Sequence, residues 1–198
     1  MDAEFSDKKL SRTVLLVALL NLSYFGVEFG VALSIGSVSL FADSVDFLED
    51  ASINLLIFLA LGWSAVHRAR LGMVLAGILL IPGLATLWAI WSKWQVPTPP
   101  DPLQLSLTGA GALLVNFACA FMLGRYRAHH GSLTRAAFLS ARNDTLANVA
   151  IIAAGLLTAY NFSPWPDVIV GVGIALVNAD AAREVWTAAR AEHLSAHS

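Results

Sequence analysis

The sequence predicts an all-α, polytopic membrane protein with six transmembrane helices and both termini in the cytoplasm. Three observations carry that expectation. Of 198 residues, 57% are hydrophobic and only 13% are charged, where a soluble domain carries about 25% charged residues. The apolar residues fall in runs of about 20, the length a helix needs to cross roughly 30 Å of hydrocarbon. The basic residues cluster at alternate ends of those runs, as the positive-inside bias of membrane proteins requires.

Taken in order, the predicted spans are 13–35, 38–64, 71–94, 105–124, 136–160 and 168–188. They divide the chain into a cytoplasmic segment 1–12, a transport-sized membrane domain 13–190 and a short cytoplasmic tail 191–198. Lys8, Lys9 and Arg12 precede the first span much as basic residues precede a secretory signal. Its apolar stretch is longer than a signal core and lacks a small-residue cleavage site, so the helix is read as retained. The connections are short: Gly36-Ser37, the stretch around His67–Arg70, a proline-rich 95–104, then 125–135 and 161–167. Pro82-Gly83 in the third span marks a kink.

Lys8, Lys9, Arg12, Arg68, Arg70, Arg125, Arg127, Arg135, Arg183 and Arg190 all fall on one side of this arrangement, Lys93 on the other and Arg142 within the fifth span. That asymmetry orients the chain in the cytoplasmic (inner) membrane. Trp88, Trp91, Trp94 and Trp165 gather at the outer boundary and Trp63 and Trp186 near the inner one, as interfacial anchors do.

The balance of 12 Lys+Arg against 14 Asp+Glu leaves a net charge of −2, which offers no basic surface for nucleic acid. A single cysteine, Cys119, excludes a disulfide framework or a cysteine-rich zinc module. No catalytic residue and no resident cofactor are assigned, and the chain is read as a non-enzyme.

The informative residues are the charges inside the spans, since each costs roughly 2.5–3.5 kcal/mol on insertion scales. Span two carries Asp43, Asp46, Glu49 and Asp50. At about 100° per residue, Asp43, Asp46 and Asp50 share one narrow stripe, which Asn54 continues. In span five Ser140, Asp144 and Asn148 follow at i, i+4 and i+8, and in span one Asn21 and Glu28 share a face. If spans two and five pack together, Asp46, Asp50 and Asp144 meet near the midplane. Crowded carboxylates in low dielectric demand protons or a divalent cation. Three Asp side chains offer an oxygen-rich site for such a cation, and loading it expels protons, because ligands bind deprotonated. Exchange of metal for protons needs this chemistry and alternating access.

Other polar residues carry two readings each. Glu28 suits a structural hydrogen bond or the permeation path, and Asp43 a supporting or outer-vestibule acid. Asp180 sits near the cytoplasmic end of span six. Arg142, about 200° round the helix from Asp144, snorkels inward or pairs with an acid elsewhere. His67, His129, His130, His193 and His197 fall in cytoplasmic loops or the tail, where His129-His130 could guide metal inward. Cys119 is read as a packing residue.

Gly36-Ser37-Val38-Ser39-Leu40 leading into Ala42-Asp43-Ser44-Val45-Asp46-Phe47-Leu48-Glu49-Asp50, with Leu139-Ser140-Ala141-Arg142-Asn143-Asp144 and Asn21, resembles the cation diffusion facilitator family of divalent-metal/proton antiporters. The similarity covers nearly the whole chain. It implies a transport site of Asp46 and Asp50 from the second helix and Ser140 and Asp144 from the fifth. The family usually has His or Asp where this chain has Ser140. A weak or water-mediated ligand there, with Asn143 or water completing the set, favours manganese, iron(II) or cobalt(II) over zinc. Most members continue into a cytoplasmic ferredoxin-like domain that holds a dimer together, and no such domain is expected from the few residues after span six here. A homodimer is therefore expected through the transmembrane helices, with Gly171, Gly173 and Ala175 as contact residues.

The main expectation is proton-coupled efflux of a divalent transition metal, with the metal and protons as partners within the lipid bilayer. The alternative is a non-transporting relative that senses metal or assists assembly of a membrane partner. A carrier exchanging protons for an organic cation is the third reading.

Overall fold

A computed structural model describes the backbone of residues 2–60, 83–125 and 131–177 and the side chains of 9–59, 83–125 and 143–177. Among the described residues all regular structure is helical. The helices are α1 (Asp2–Ile35), α2 (Val38–Ala60), α3 (83–95), α4 (Pro102–Gly124), α5 (Gly131–Asn161) and α6 (Trp165–Val177). Two of them, Lys9–Ile35 within α1 and Pro102–Gly124, are by themselves long and apolar enough to cross a membrane. α2 and α5 depart from that pattern for a physical reason: their sequences interrupt the apolar residues with acidic and amide side chains.

Each helix boundary has a local cause. α1 runs on from the segment expected to precede it and stops at Gly36, whose φ of +63° an L side chain adopts only with strain. The N–H of Ser37 closes back on the carbonyl of Ala32 at 3.3 Å, the wide-ring bond that ends a helix on a left-handed residue. α4 starts on Pro102, with the Asp101 side chain accepting from the Gln104 N–H at 2.7 Å. α5 ends where Phe162 takes φ +49° without glycine, and α6 begins at Trp165. The loop expected over 161–167 is thus shorter, and Asp167 belongs to the first turn of α6.

α4 packs most extensively on α5 and α1 on α2, while α1 against α4 and α2 against α5 join these pairs. Two apolar clusters stack along this bundle. One gathers Ala32, Val38, Leu40, Phe41, Leu105, Ile151 and Val168, and the other Leu10, Val14, Val17, Cys119 and Leu123. Between them along the helices lies a belt of buried polar side chains: Asn21, Glu28, Asp43, Asp50, Asn54, Asn116 and Asn148. Leu22, Leu114, Phe117, Leu146, Leu156 and Ile169 face outward. Acids inside and large apolar residues outside invert the arrangement of a soluble protein and suit a hydrocarbon surround.

Trp88, Trp91 and Trp94 of α3 are exposed, and the Trp94 and Trp165 rings meet edge to face at 6.1 Å. Of the four tryptophans assigned to one boundary, Trp94 and Trp165 are therefore brought together. Trp63, Pro82 and Trp186 lie outside the described residues. The three small residues expected to mediate a dimer do not share an outward face. Gly171 is buried against α2, where a Cβ would stand 2.6 Å from the Val38 carbonyl carbon, and Ala175 packs on the first apolar cluster. Gly173 is exposed with open space around it.

Candidate metal site

The site begins at the first turn of α2, because that turn fixes the register of every acid below it. Ser37 caps the helix, its Oγ accepting from the Leu40 N–H at 3.2 Å. The remaining free amides are taken up by Asp167 of α6. One carboxylate oxygen accepts from the Val38 N–H at 2.8 Å, and the other accepts from the Ser39 N–H at 3.1 Å, the Ser37 hydroxyl at 2.7 Å and the Ser39 hydroxyl at 2.6 Å. A buried anion at the positive end of a helix is favourable. Lys93 of α3, itself buried, donates to the Thr98 carbonyl and hydroxyl and lies near enough to Asp167 to feel its charge.

Asp43 lies on the next turn and is fully buried. Its Oδ1 accepts from Asn148 Nδ2 of α5 at 3.5 Å, and the same Nδ2 donates to the Asp144 carbonyl at 2.6 Å. Asn148 therefore ties the acidic stripe of α2 to that of α5. Asp46 is half-buried, and the charge it feels most strongly is that of Asp144, ahead of Asp43, Glu49 and Asp50. Asp50 is buried, with its carbonyl accepting from Asn54 Nδ2 at 2.8 Å. Asn21 is fully buried on α1, and the Cys119 thiol of α4 approaches its Oδ1 at 4.0 Å. Cys119, assigned packing alone, borders the polar belt closely enough to feel Asp50 and Asp144.

Asp46 and Asp144 thus lie within electrostatic reach of each other on two helices in contact, α2 and α5. Among the described residues no three His, Cys, Asp or Glu side chains gather as a metal cage. Ser140 lies on the backbone of α5, but its side chain, with that of Arg142, is outside the described residues, as are Asp180 and all five histidines. Asn143 is exposed on α5.

Residues 14–190 match the cation efflux transmembrane domain. The chain belongs to the cation efflux family. That membership agrees with the resemblance to cation diffusion facilitators and makes the chain a membrane-embedded domain of a family that transports metal cations, not of classical enzymes. A comparison with the curated proteins gives no match.

In this cation efflux domain sequence reasoning missed Asp167 and Tyr24. Asp167 reads as a loop acid, and no local pattern links it to serines 128 to 130 residues earlier. Tyr24 donates to the Thr108 carbonyl at 2.6 Å, meets the Phe47 ring at a 45° tilt with centroids 5.0 Å apart, and stands near enough to Glu28 and Asp43 to feel their charge. Its position four residues before Glu28, on the same face, was the available signal.

Proposed function

We propose that the chain exports a divalent transition-metal cation from the cytoplasm in exchange for protons, through six spans of the cytoplasmic membrane with both termini in the cytoplasm. Asp46, Asp50 and Asp144 hold the ion, with Ser140, Asn143 or water completing the set. Manganese, iron(II) or cobalt(II) suits these oxygen donors better than zinc. Ligands bind deprotonated, so the ion enters as protons leave, and protons arriving from outside displace it.

The observation that supports this reading is the electrostatic influence of Asp144 on Asp46 across two packed helices of a cation efflux domain. Crowded acids in a dry layer need a positive partner, and in a metal-transporting family the cargo supplies it. The bound ion lies between the carboxylates, and a rocking of helix pairs opens the belt to each side in turn. The same reading places a homodimer contact on the outward apolar faces, of which Gly173 offers a close-approach point.

The test is flux of manganese, iron(II), cobalt(II) and zinc into proteoliposomes under a pH gradient. The reading expects flux that collapses when the gradient is dissipated and is lost in Asp46→Ala and Asp144→Ala. Normal flux in both variants overturns the site. Calorimetric metal binding without flux selects a sensor or assembly role instead.

A further inference from the structure

The belt holds a second pair of acids that coordination at Asp46, Asp50 and Asp144 does not use. Glu28 of α1 and Asp43 of α2 are both 0% exposed, and their carboxyls lie within hydrogen-bonding reach of each other. Counted as two anions, the pair is badly short of donors. Neither Glu28 oxygen has a partner, and neither does Asp43 Oδ2. Asn148 adds a further buried, unpaired acceptor in its Oδ1.

The groups facing the pair do not relieve this. Tyr24, on the same helix as Glu28, gives its hydroxyl proton to the Thr108 carbonyl of α4. Asp46 on α2 adds negative charge, and Asp144 of α5 stands beyond it. Asp167 of α6 and Lys93 of α3 are engaged at the outer corner of α2. Among the described residues no cationic side chain stands beside the pair. Two neighbouring anions in a layer without counter-charge are unstable, and one proton between them turns repulsion into a charge-assisted hydrogen bond.

The donors already present decide which residue carries that proton. Asp43 accepts from Asn148 Nδ2 and is served as an anion. Glu28 accepts from nothing and is served as an acid. We propose that Glu28 holds a proton and donates it to Asp43, forming a proton-binding site separate from the metal-holding acids. Asp43 precedes Asp46 by one helical turn, so the site lies about 4.5 Å nearer the α1–α2 turn.

The use of this proton rests on the antiport reading above, whereas its presence does not. In exchange, the Glu28 O–H bond breaks as an ion loads, the proton leaves to water on the loading side, and another is taken from water on the releasing side. One proton per cycle then travels on Glu28, beyond those competing directly with the metal.

Infrared difference spectroscopy of the full chain in lipid tests the first half. Glu28→Gln keeps a donor, the amide N–H, facing Asp43, so the helix contact survives without the proton. The wild-type minus Glu28→Gln spectrum at neutral pH should contain a protonated-carboxyl carbonyl stretch, and Asp43→Asn should keep that band at a shifted frequency. Absence of the band overturns the proposal, as does its loss in Asp43→Asn with retention in Glu28→Gln, which would put the proton on Asp43. In proteoliposomes Glu28→Gln should move one proton fewer per manganese ion than wild type. An unchanged ratio overturns the carrier role. If wild-type protein moves no metal the antiport reading fails, and the infrared band still decides the protonation of Glu28.

Discussion

Asp167 grips Ser39 twice, accepting from its backbone N–H at 3.1 Å and from its hydroxyl at 2.6 Å across 128 residues of chain. Because the same carboxylate also serves Val38, the start of α6 fixes the start of α2 and therefore the azimuth of the acidic stripe. Asp167→Ala leaves two buried N–H groups without acceptors, at about 1–3 kcal/mol each before relaxation. The variant should lose about 3 kcal/mol of stability, with Asp167→Asn intermediate because one oxygen remains an acceptor. Denaturant unfolding in mixed micelles measures this. A loss below about 0.5 kcal/mol would show that water replaces the carboxylate.

The two glycines of α6 should respond in opposite ways. A Cβ on Gly171 meets Val38 backbone and side chain at 2.6 Å and the Ser39 nitrogen at 2.7 Å, and backbone cannot yield as a side-chain tip does. Gly171→Ala should cost about 1–3 kcal/mol and pry α6 from α2. Gly173 meets nothing within 4 Å, so Gly173→Ala should be neutral or mildly stabilising through helix propensity. Cross-linking yield before and after each substitution adds a second readout. If Gly173→Ala lowers dimer yield while the monomer fold holds, that face is the contact.

The sequence made the helices and the acids legible, since both signals are local. A run of apolar residues needs no partner to be recognised, and neither does an Asp within it. The stripe of Asp43, Asp46 and Asp50 follows from helical geometry alone, as does the pairing of Ser140, Asp144 and Asn148. What the stripes face is not local. Glu28 carries two readings in the sequence because its neighbour Asp43 lies on the next helix, a juxtaposition that exists only once α1 packs on α2. Gly171 looked like a dimer contact because a small residue permits close approach without saying to what. Asp167 was invisible for the same reason: a carboxylate at the foot of one helix carries no sign of the distant helix it caps. Phe162 hid the end of α5, since a left-handed turn normally advertises itself with glycine.

Metal binding at Asp46, Asp50 and Asp144 should tighten as pH rises. Any ligand proton present in the free protein must leave, and each proton displaced weakens binding about tenfold per unit fall in pH while that ligand is protonated. Asp144→Asn removes one charged ligand and its proton together. Manganese affinity should drop by more than about tenfold, since even supporting residues around a metal are worth that much. Its dependence on pH should flatten as well. Titration calorimetry across neutral pH, in buffers of different ionisation enthalpy, counts the protons released. An Asp144→Asn protein that binds as tightly and releases as many protons as wild type would remove Asp144 from the site.

Ser140 is one turn before Asp144 on α5, the spacing that lets two side chains grasp one ion. A hydroxyl there is neutral and hard, and the other proposed ligands are carboxylates, so the proposed set matches ions that accept all-oxygen coordination. Ser140→His introduces a nitrogen donor at the same place and moves the set towards the tetrahedral mixture that zinc prefers. The variant should therefore gain zinc affinity and lose discrimination in favour of manganese, read as the ratio of zinc to manganese transport in one proteoliposome preparation. It should also become more sensitive to mild acid, since imidazole near neutral pH must shed a proton to bind. Should the zinc-to-manganese ratio stay within about twofold of wild type, position 140 does not touch the ion, and selectivity resides in the three carboxylates alone.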